Sequence, residues 1–190
     1  KQLYVTATCM NKQKLIVFSE QTYPQMKVKD AVRISMSIPL YFEAVFIDSI
    51  GNVYNKNKPN LDVVVDGGIL GNYPIFMFDS LLLDSSNNQI REPNYKTLGI
   101  RIDSDLQIKN DSLTKELVPL SINTMSDYLQ AFYILTLENL NRIPLISQDW
   151  DRTISVSSVG ISPKIKKLSK EQKESLVKSG QLNTRTFLNK

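Results

Sequence analysis

A chain of 190 residues with no histidine must do any acid–base chemistry without imidazole. The carboxylate best placed for that work is Asp66, which closes the apolar run Val63, Val64, Val65 and is followed at once by Gly67 and Gly68. A serine hydroxyl attacks well only when a group in hydrogen-bond reach accepts its proton. A carboxylate serves if partial burial lifts its pKa above the reference of about 3.9. The two glycines leave no Cβ in the way, so a second stretch of backbone can approach closely, and they admit unusual backbone angles just after Asp66. Taken alone, Asp-Gly-Gly is also an ordinary turn sequence. No other chemistry competes with it. The single cysteine, Cys9, cannot form an intramolecular disulfide and reads as a small core residue, and no Cys and His set exists for zinc. With no acidic ligand cluster for Ca²⁺ and no glycine loop to cradle a phosphate, neither a metal nor a cofactor is expected.

The elements that must position Asp66 read as alternating strands and helices, an α/β pattern. Leu3 to Thr8 and Leu15 to Phe18 are β-rich and read as a hairpin or two neighbouring strands. Asp30 is placed to cap a short helix that Pro39 stops. Residues 48–61 read as an exposed loop. Leu61 to Val65 lacks clean alternation along its valines and reads as a strand covered on both faces, as in a parallel sheet flanked by helices. Asp66 then lies at its carboxyl end, where open α/β sheets place their ligands.

Pro74 to Leu83 reads as a helix, 84–96 as a polar loop and Leu98 to Ile102 as a strand. From Leu117 to about Leu140 the residues Ile122, Met125, Leu129, Phe132, Leu137 and Leu140 form a helical stripe that reads as core. Thr153 to Val159 is a strand, and Ser169 with Gln172 makes a capping box for a last helix that Gly180 could close.

Composition narrows the class. With 42% hydrophobic and 22% charged residues the chain is an ordinary globular protein rather than a disordered one. Its apolar runs break well before the roughly 18 to 20 residues a membrane-spanning helix needs. The net charge of +4 suits an anionic lipid surface or a nucleic acid without demanding either. Lysines gather late, at Lys164, Lys166, Lys167, Lys170, Lys173 and Lys178, but Glu171 and Glu174 are interleaved and the segment reads as a solvated helix face. No nucleic-acid motif accompanies the charge. The absence of disulfides fits a cytoplasmic location. The chain opens on Lys1 and passes directly into Leu3, Tyr4, Val5, which reads as the middle of a longer polypeptide.

The surroundings of Asp66 are more specific than the tripeptide. Upstream lies Asp30-Ala-Val-Arg-Ile-Ser-Met-Ser-Ile-Pro39, continuing Leu-Tyr-Phe-Glu-Ala-Val45, and downstream lies Asn72-Tyr-Pro-Ile75. This succession resembles the patatin-like phospholipases, in which Ala-x-x-x-Ser-x-Ser-Ile-Pro precedes a strand ending Asp-Gly-Gly and then Asn-x-Pro. The likeness continues through Thr97-Leu-Gly-Ile-Arg-Ile102, Trp150-Asp-Arg-Thr-Ile154, Leu168-Ser-Lys-Glu-Gln-Lys173 and Ser179-Gly180. Leu40 and Gly71 fall where the family pattern varies and carry no functional weight in it.

The resemblance implies a three-layer α/β domain with a central, mostly parallel sheet, of which 1–190 would be the C-terminal portion. It implies lipid acyl hydrolysis by a serine–aspartate dyad on a phospholipid or other acyl-lipid substrate at a membrane surface, with Asp66 as the dyad base and Gly67 and Gly68 supporting it. The family's Gly-x-Ser-x-Gly elbow is not in this chain. Gly67-Gly-Ile-Leu-Gly71 has Ile69 in the serine slot, Ser162 lacks the second glycine, and no Gly-Gly-x-Arg loop supplies oxyanion donors. Ser35 and Ser37 belong to a helix end near the site. The serine is therefore expected on an N-terminal segment of the same protein, the chain alone being inactive. The alternative is a catalytically dead lipid-binding or protein-interaction module. Some bacterial relatives are delivered into host cells, so a secreted effector is the other location the resemblance allows.

Overall fold

The computed structural model describes residues 1–113, 117–142, 145–161 and 167–189, with the backbone alone at 112 and 136–142. Ser162, Lys164 and Lys166 and the side chains of Leu137 and Leu140 thus lie outside the described residues. The chain divides into two compact units, Lys1–Pro74 with Leu129–Pro144, and Ile75–Tyr128 with Leu145–Lys190.

In the first unit the β-rich opening forms the expected hairpin, β1 (Val5–Cys9) and β2 (Lys14–Phe18). β3 (Val45–Ile47), β4 (Val53–Tyr54) and β5 (Asp62–Asp66) complete a five-stranded sheet in the order β2-β1-β5-β3-β4. Every pairing in it is antiparallel. The mostly parallel sheet expected from the valine run is therefore corrected here. A continuous apolar run reports that both faces of a strand are covered, and it says nothing about the direction of its neighbours.

One cover is α1 (Val28–Ser35), whose Ala31 and Ile34 meet Ala7, Cys9, Ile16, Phe18, Val45, Ile47 and Val64 in one apolar core. The other is α2 (Gly68–Gly71), which touches Thr6 and Leu15, the residues that alternate with Ala7 and Ile16. Asp30 does not cap α1. Lys27 occupies that position without a side-chain bond, and Asp30 sits within the first turn, where its charge suits the helix N-terminus. At the far end of β5, buried Asp62 is held by Lys12 at 2.7 Å.

The second unit departs further from expectation. Pro74 opens no long helix. A 3-10 turn at Ile75–Phe78 leads into β6 (Ser80–Leu83), which pairs antiparallel with β7 (Gln89–Glu92) inside the expected polar loop. The turn between them decides this. Asp84 Oδ1 accepts the N–H groups of Ser86 and Asn88, each at 2.8 Å, and Oδ2 accepts from Asn88 Nδ2 at 3.2 Å. Asp48 makes the same bonds to Ile50 and Asn52 between β3 and β4. Both Asp-x-x-x-Asn turns place their fourth residue in the left-handed region, Gly51 at φ +90° and Asn87 at φ +66°.

The parallel pairing lies between β8 (Gly99–Asp103) and β9 (Thr153–Ser157), with α3 (Asp105–Leu113), missed in the sequence, following β8. α4 (Met125–Arg142) is the long helix, and α5 (Ser147–Asp151) precedes β9. α6 (Lys170–Leu188) packs on β9 and is capped by Ser169 and Gln172 as expected. It runs on through Gly180 rather than ending there. Ile122, Met125, Leu129 and Phe132 are exposed, not core. Helical spacing fixes which side chains share a face, not what covers it.

A buried ion cluster ties these pieces together. Arg152 grips Asp79 through both terminal nitrogens, at 2.6 Å each, and also meets Asp149 at 2.6 Å. Arg91 joins the same two carboxylates, at 2.8 Å to Asp79 and 2.5 Å to Asp149. Burial pushes the Asp79 carboxyl up, but the Arg152 hydrogen bonds and the Asn94 N–H outweigh it and hold it below the usual range. In Asp149, burial is likewise overcome by Arg91 and the Ile146 N–H. The Asp79 bonds in turn raise Arg152 above the ordinary guanidinium value.

Removing one member strands buried charge, so Arg152→Met is expected to destabilise the unit by about 3 to 5 kcal/mol. Arg152→Lys should recover little of that, because an ammonium cannot make the fork. Urea denaturation read by fluorescence of Trp150, the chain's one tryptophan, checks both; an unchanged midpoint in Arg152→Met would refute the assignment.

Candidate active site

β5 ends at Asp66, opposite Ala7 of β1. Its backbone N–H bonds to the carbonyl of Ser37, just past α1, at 3.0 Å, so the strand end is tied on two sides. The chain then turns directly into α2. At Gly67 a Cβ would lie 2.4 Å from the Thr6 carbonyl oxygen, a contact with backbone that cannot swing aside. Gly67 therefore exists for close approach, as the sequence suggests, but the approaching backbone is Thr6 of the same chain. Its φ of −69° is ordinary, so the expected unusual angles are not used.

Gly68 has a different reason. A Cβ there would sit 2.7 Å from Asp66 Oδ1 and 3.3 Å from Asn72 Oδ1, so the carboxylate and the Asn72 amide bracket the same point. Without that Cβ, the Gly68 N–H donates to Asp66 Oδ1 at 2.5 Å. Among the described residues no hydrogen bond reaches Oδ2. One oxygen of Asp66 is thus held in place by the Gly68 N–H. Burial pushes the carboxyl above its usual range, with the Gly68 N–H pulling partly back.

One tyrosine senses the charge of Asp66. The Tyr133 phenol on α4 is raised by burial and, beyond that, by the charge of Asp66 and by Tyr41. Tyr133 lies 67 residues beyond Asp66 in the sequence, and no local signal links them. Ser37 is buried, and its hydroxyl donates to the Arg33 carbonyl at 2.8 Å, which gives it the helix-end role expected for it. Ile69, in the elbow's serine slot, falls inside α2. Cys9 is a core residue. Among the described residues no group of three or more His, Cys, Asp or Glu could hold a metal ion, and no helix is long and apolar enough to cross a membrane.

Two stability measurements test this geometry. Gly67→Ala should cost about 1 to 3 kcal/mol, since the added methyl forces backbone apart, and a wild-type urea midpoint in that variant would contradict the close approach. The raised pKa of Asp66 means that the native state favours the protonated carboxyl. Its contribution to stability is present below about pH 3.9 and is lost as pH rises through the higher native value. Asp66→Asn should therefore be more stable than wild type at pH 7, with the gain shrinking toward pH 3. Thermal unfolding across that range reads the sign directly.

The geometry meets its relatives at this point. Residues 5–79 match the family model described as patatin-like phospholipase. Over 182 residues the chain is 30% identical to the uncharacterized protein R571 of Acanthamoeba polyphaga mimivirus, a match covering 95% of this chain and 52% of that protein. The chain thus spans about half the length of that relative. The fold is similar to VipD from Legionella pneumophila, with a TM-score of 0.52 at 15% identity, covering 100% of this chain and 31% of VipD. The motif succession around Asp66 and the family match agree, and residues 5–79 are similar to the patatin-like phospholipases.

Proposed function

We propose that this chain is the C-terminal portion of a lipid acyl hydrolase of phospholipase A type and supplies the base of its serine–aspartate dyad. The single observation that carries the reading is the state of Asp66. It is a half-buried carboxylate of raised pKa, with Oδ1 held by Gly68 and no hydrogen bond to Oδ2 among the described residues, in the Asp-Gly-Gly corner whose surroundings resemble the family motif. The serine is supplied by a Gly-x-Ser-x-Gly segment outside these 190 residues.

The chemistry balances with those two groups. Asp66 Oδ2 takes the hydroxyl proton as the serine Oγ attacks the ester carbonyl, and the tetrahedral intermediate collapses with loss of the lysolipid alkoxide, which receives that proton. Water, giving its proton to the same carboxylate, then attacks the acyl-enzyme carbonyl, and collapse breaks the bond to the serine Oγ, which takes the proton back as the fatty acid leaves. Burial raises the Asp66 pKa, which strengthens its carboxylate as a base. No step calls for a metal or an organic cofactor.

In the polypeptide that joins this chain to the serine segment, Asp66→Asn should keep the fold and lower kcat on a fluorogenic acyl ester by about three orders of magnitude or more. Near-normal turnover by that variant would remove Asp66 as the base. A joined polypeptide that is itself inactive, with the serine replaced, would instead favour the lipid-binding or protein-interaction module.

A further inference from the structure

We propose that the outer face of α1 and the segment Leu40–Phe42 form a docking surface for an anionic phospholipid bilayer. α1 turns Ala31 and Ile34 inward and leaves Val28, Val32 and Met36 exposed, each four residues after the last and hence on one line along the helix surface. Beyond Pro39 the chain presents Leu40 at 95% exposure, Tyr41 at 63% and Phe42 at 54%. Leu40 is held there at φ +71°, in the left-handed region. That conformation costs a leucine roughly 1 to 2 kcal/mol. A backbone strained so as to display three large apolar side chains works against the stability of the free chain, which is the pattern of a segment shaped for contact.

The charges around this stripe choose the partner. Lys27, Lys29 and Arg33 are exposed along the same helix, against half-buried Asp30 and exposed Glu43. Between helix and segment lies a groove of about 550 Å³, with Val32, Met36 and Phe42 as its apolar lining and Lys29, Arg33 and Glu43 as its polar one. Apolar side chains flanked by cations are the composition of helices that lie in the membrane interface. Each lysine or arginine near an anionic leaflet contributes about 1 kcal/mol. Tyr41 has the amphipathic ring that favours the headgroup level.

The surface is also joined to the candidate site. Ser37 lines the groove, and its carbonyl accepts the Asp66 N–H at 3.0 Å. The docking surface and the β5 end that carries Asp66 thus share a direct backbone link through Ser37. The inference rests on the lipid reading of the site for its choice of partner, but its geometry is independent of any reaction.

The test is cosedimentation of the 190-residue chain with vesicles of phosphatidylcholine containing phosphatidylserine, with circular dichroism confirming each variant's fold. Wild type should pellet with these vesicles, less with pure phosphatidylcholine and less at high salt. Leu40→Asp with Phe42→Asp should lower the partition coefficient by about tenfold or more. Lys29→Glu with Arg33→Glu should lower it several-fold on the anionic vesicles, and Lys170→Glu with Lys173→Glu, on α6, should leave it unchanged. Any of four results overturns the proposal: no pelleting of wild type, equal pelleting with neutral vesicles, wild-type binding by the Leu40 and Phe42 variant, or loss confined to the α6 variant. Self-association that depends on Leu40 in place of vesicle binding overturns it in favour of a protein contact. Binding is read without ester turnover, so it stands or falls apart from the hydrolase assignment.

Discussion

The unit that carries Asp66 depends on β5 being clamped between β1 and β3, and that clamp depends on a missing side chain. Thr6 and Gly67 come so close that a single methyl at Gly67 would meet the Thr6 carbonyl at 2.4 Å. Given that approach, β1 can pair as far as Ala7 opposite Asp66, and Thr6 Oγ1 can reach the Gly71 carbonyl across the turn. The strand end is then fixed by β1 on one side and by the Ser37 carbonyl on another. A carboxylate at such a point has little freedom to move, and preorganisation is what a proton acceptor in direct contact with its nucleophile requires. The Gly68 N–H finishes the arrangement by orienting one carboxylate oxygen, while no hydrogen bond reaches the other among the described residues.

The second unit is held by different physics. Its parallel pair offers a small apolar patch, Ile154 and Val156, while Ile100 and Ile102, paired with them on β8, remain exposed. In place of a large core, two arginines and two aspartates neutralise one another in the interior. The cluster draws on the 3-10 turn through Asp79, on β7 through Arg91 and on the α5–β9 junction through Asp149 and Arg152. Such a network specifies which segments meet, because any other arrangement would bury charge without a partner. Its net worth is small beside the penalty for breaking it, which makes the unit more sensitive to single substitutions than its modest apolar burial suggests.

Much of the surface is apolar in a way that the two functional readings make intelligible. The exposed residues of α1 and Leu40–Phe42 flank Ser37, whose carbonyl accepts the Asp66 N–H, and Leu40 is displayed from a left-handed backbone. The proposed base and the proposed docking surface are linked through the backbone, the Asp66 N–H bonding to the Ser37 carbonyl just past α1. Leu40 carries no weight in the family pattern, and only its backbone angle and exposure single it out.

The sequence by itself determined the local chemistry. The β1–β2 hairpin, the cap of α6, the strands around Val64 and Ile154, and the Asp-Gly-Gly corner with its family were all legible, because each is encoded within a few residues by alternation, capping or turn propensity. It also showed that any base in a chain without histidine had to be something other than imidazole, and it offered Asp66 as the candidate. Only the tertiary structure decided what each face meets: that the neighbours of β5 run antiparallel, that Ser80–Leu83 is a strand, that Met125, Leu129 and Phe132 are exposed, and that Thr6 is the backbone Gly67 makes room for. The Asp79–Arg152 and Asp66–Tyr133 associations span 73 and 67 residues. They depend on how distant segments pack, and no periodicity within either segment carries that information.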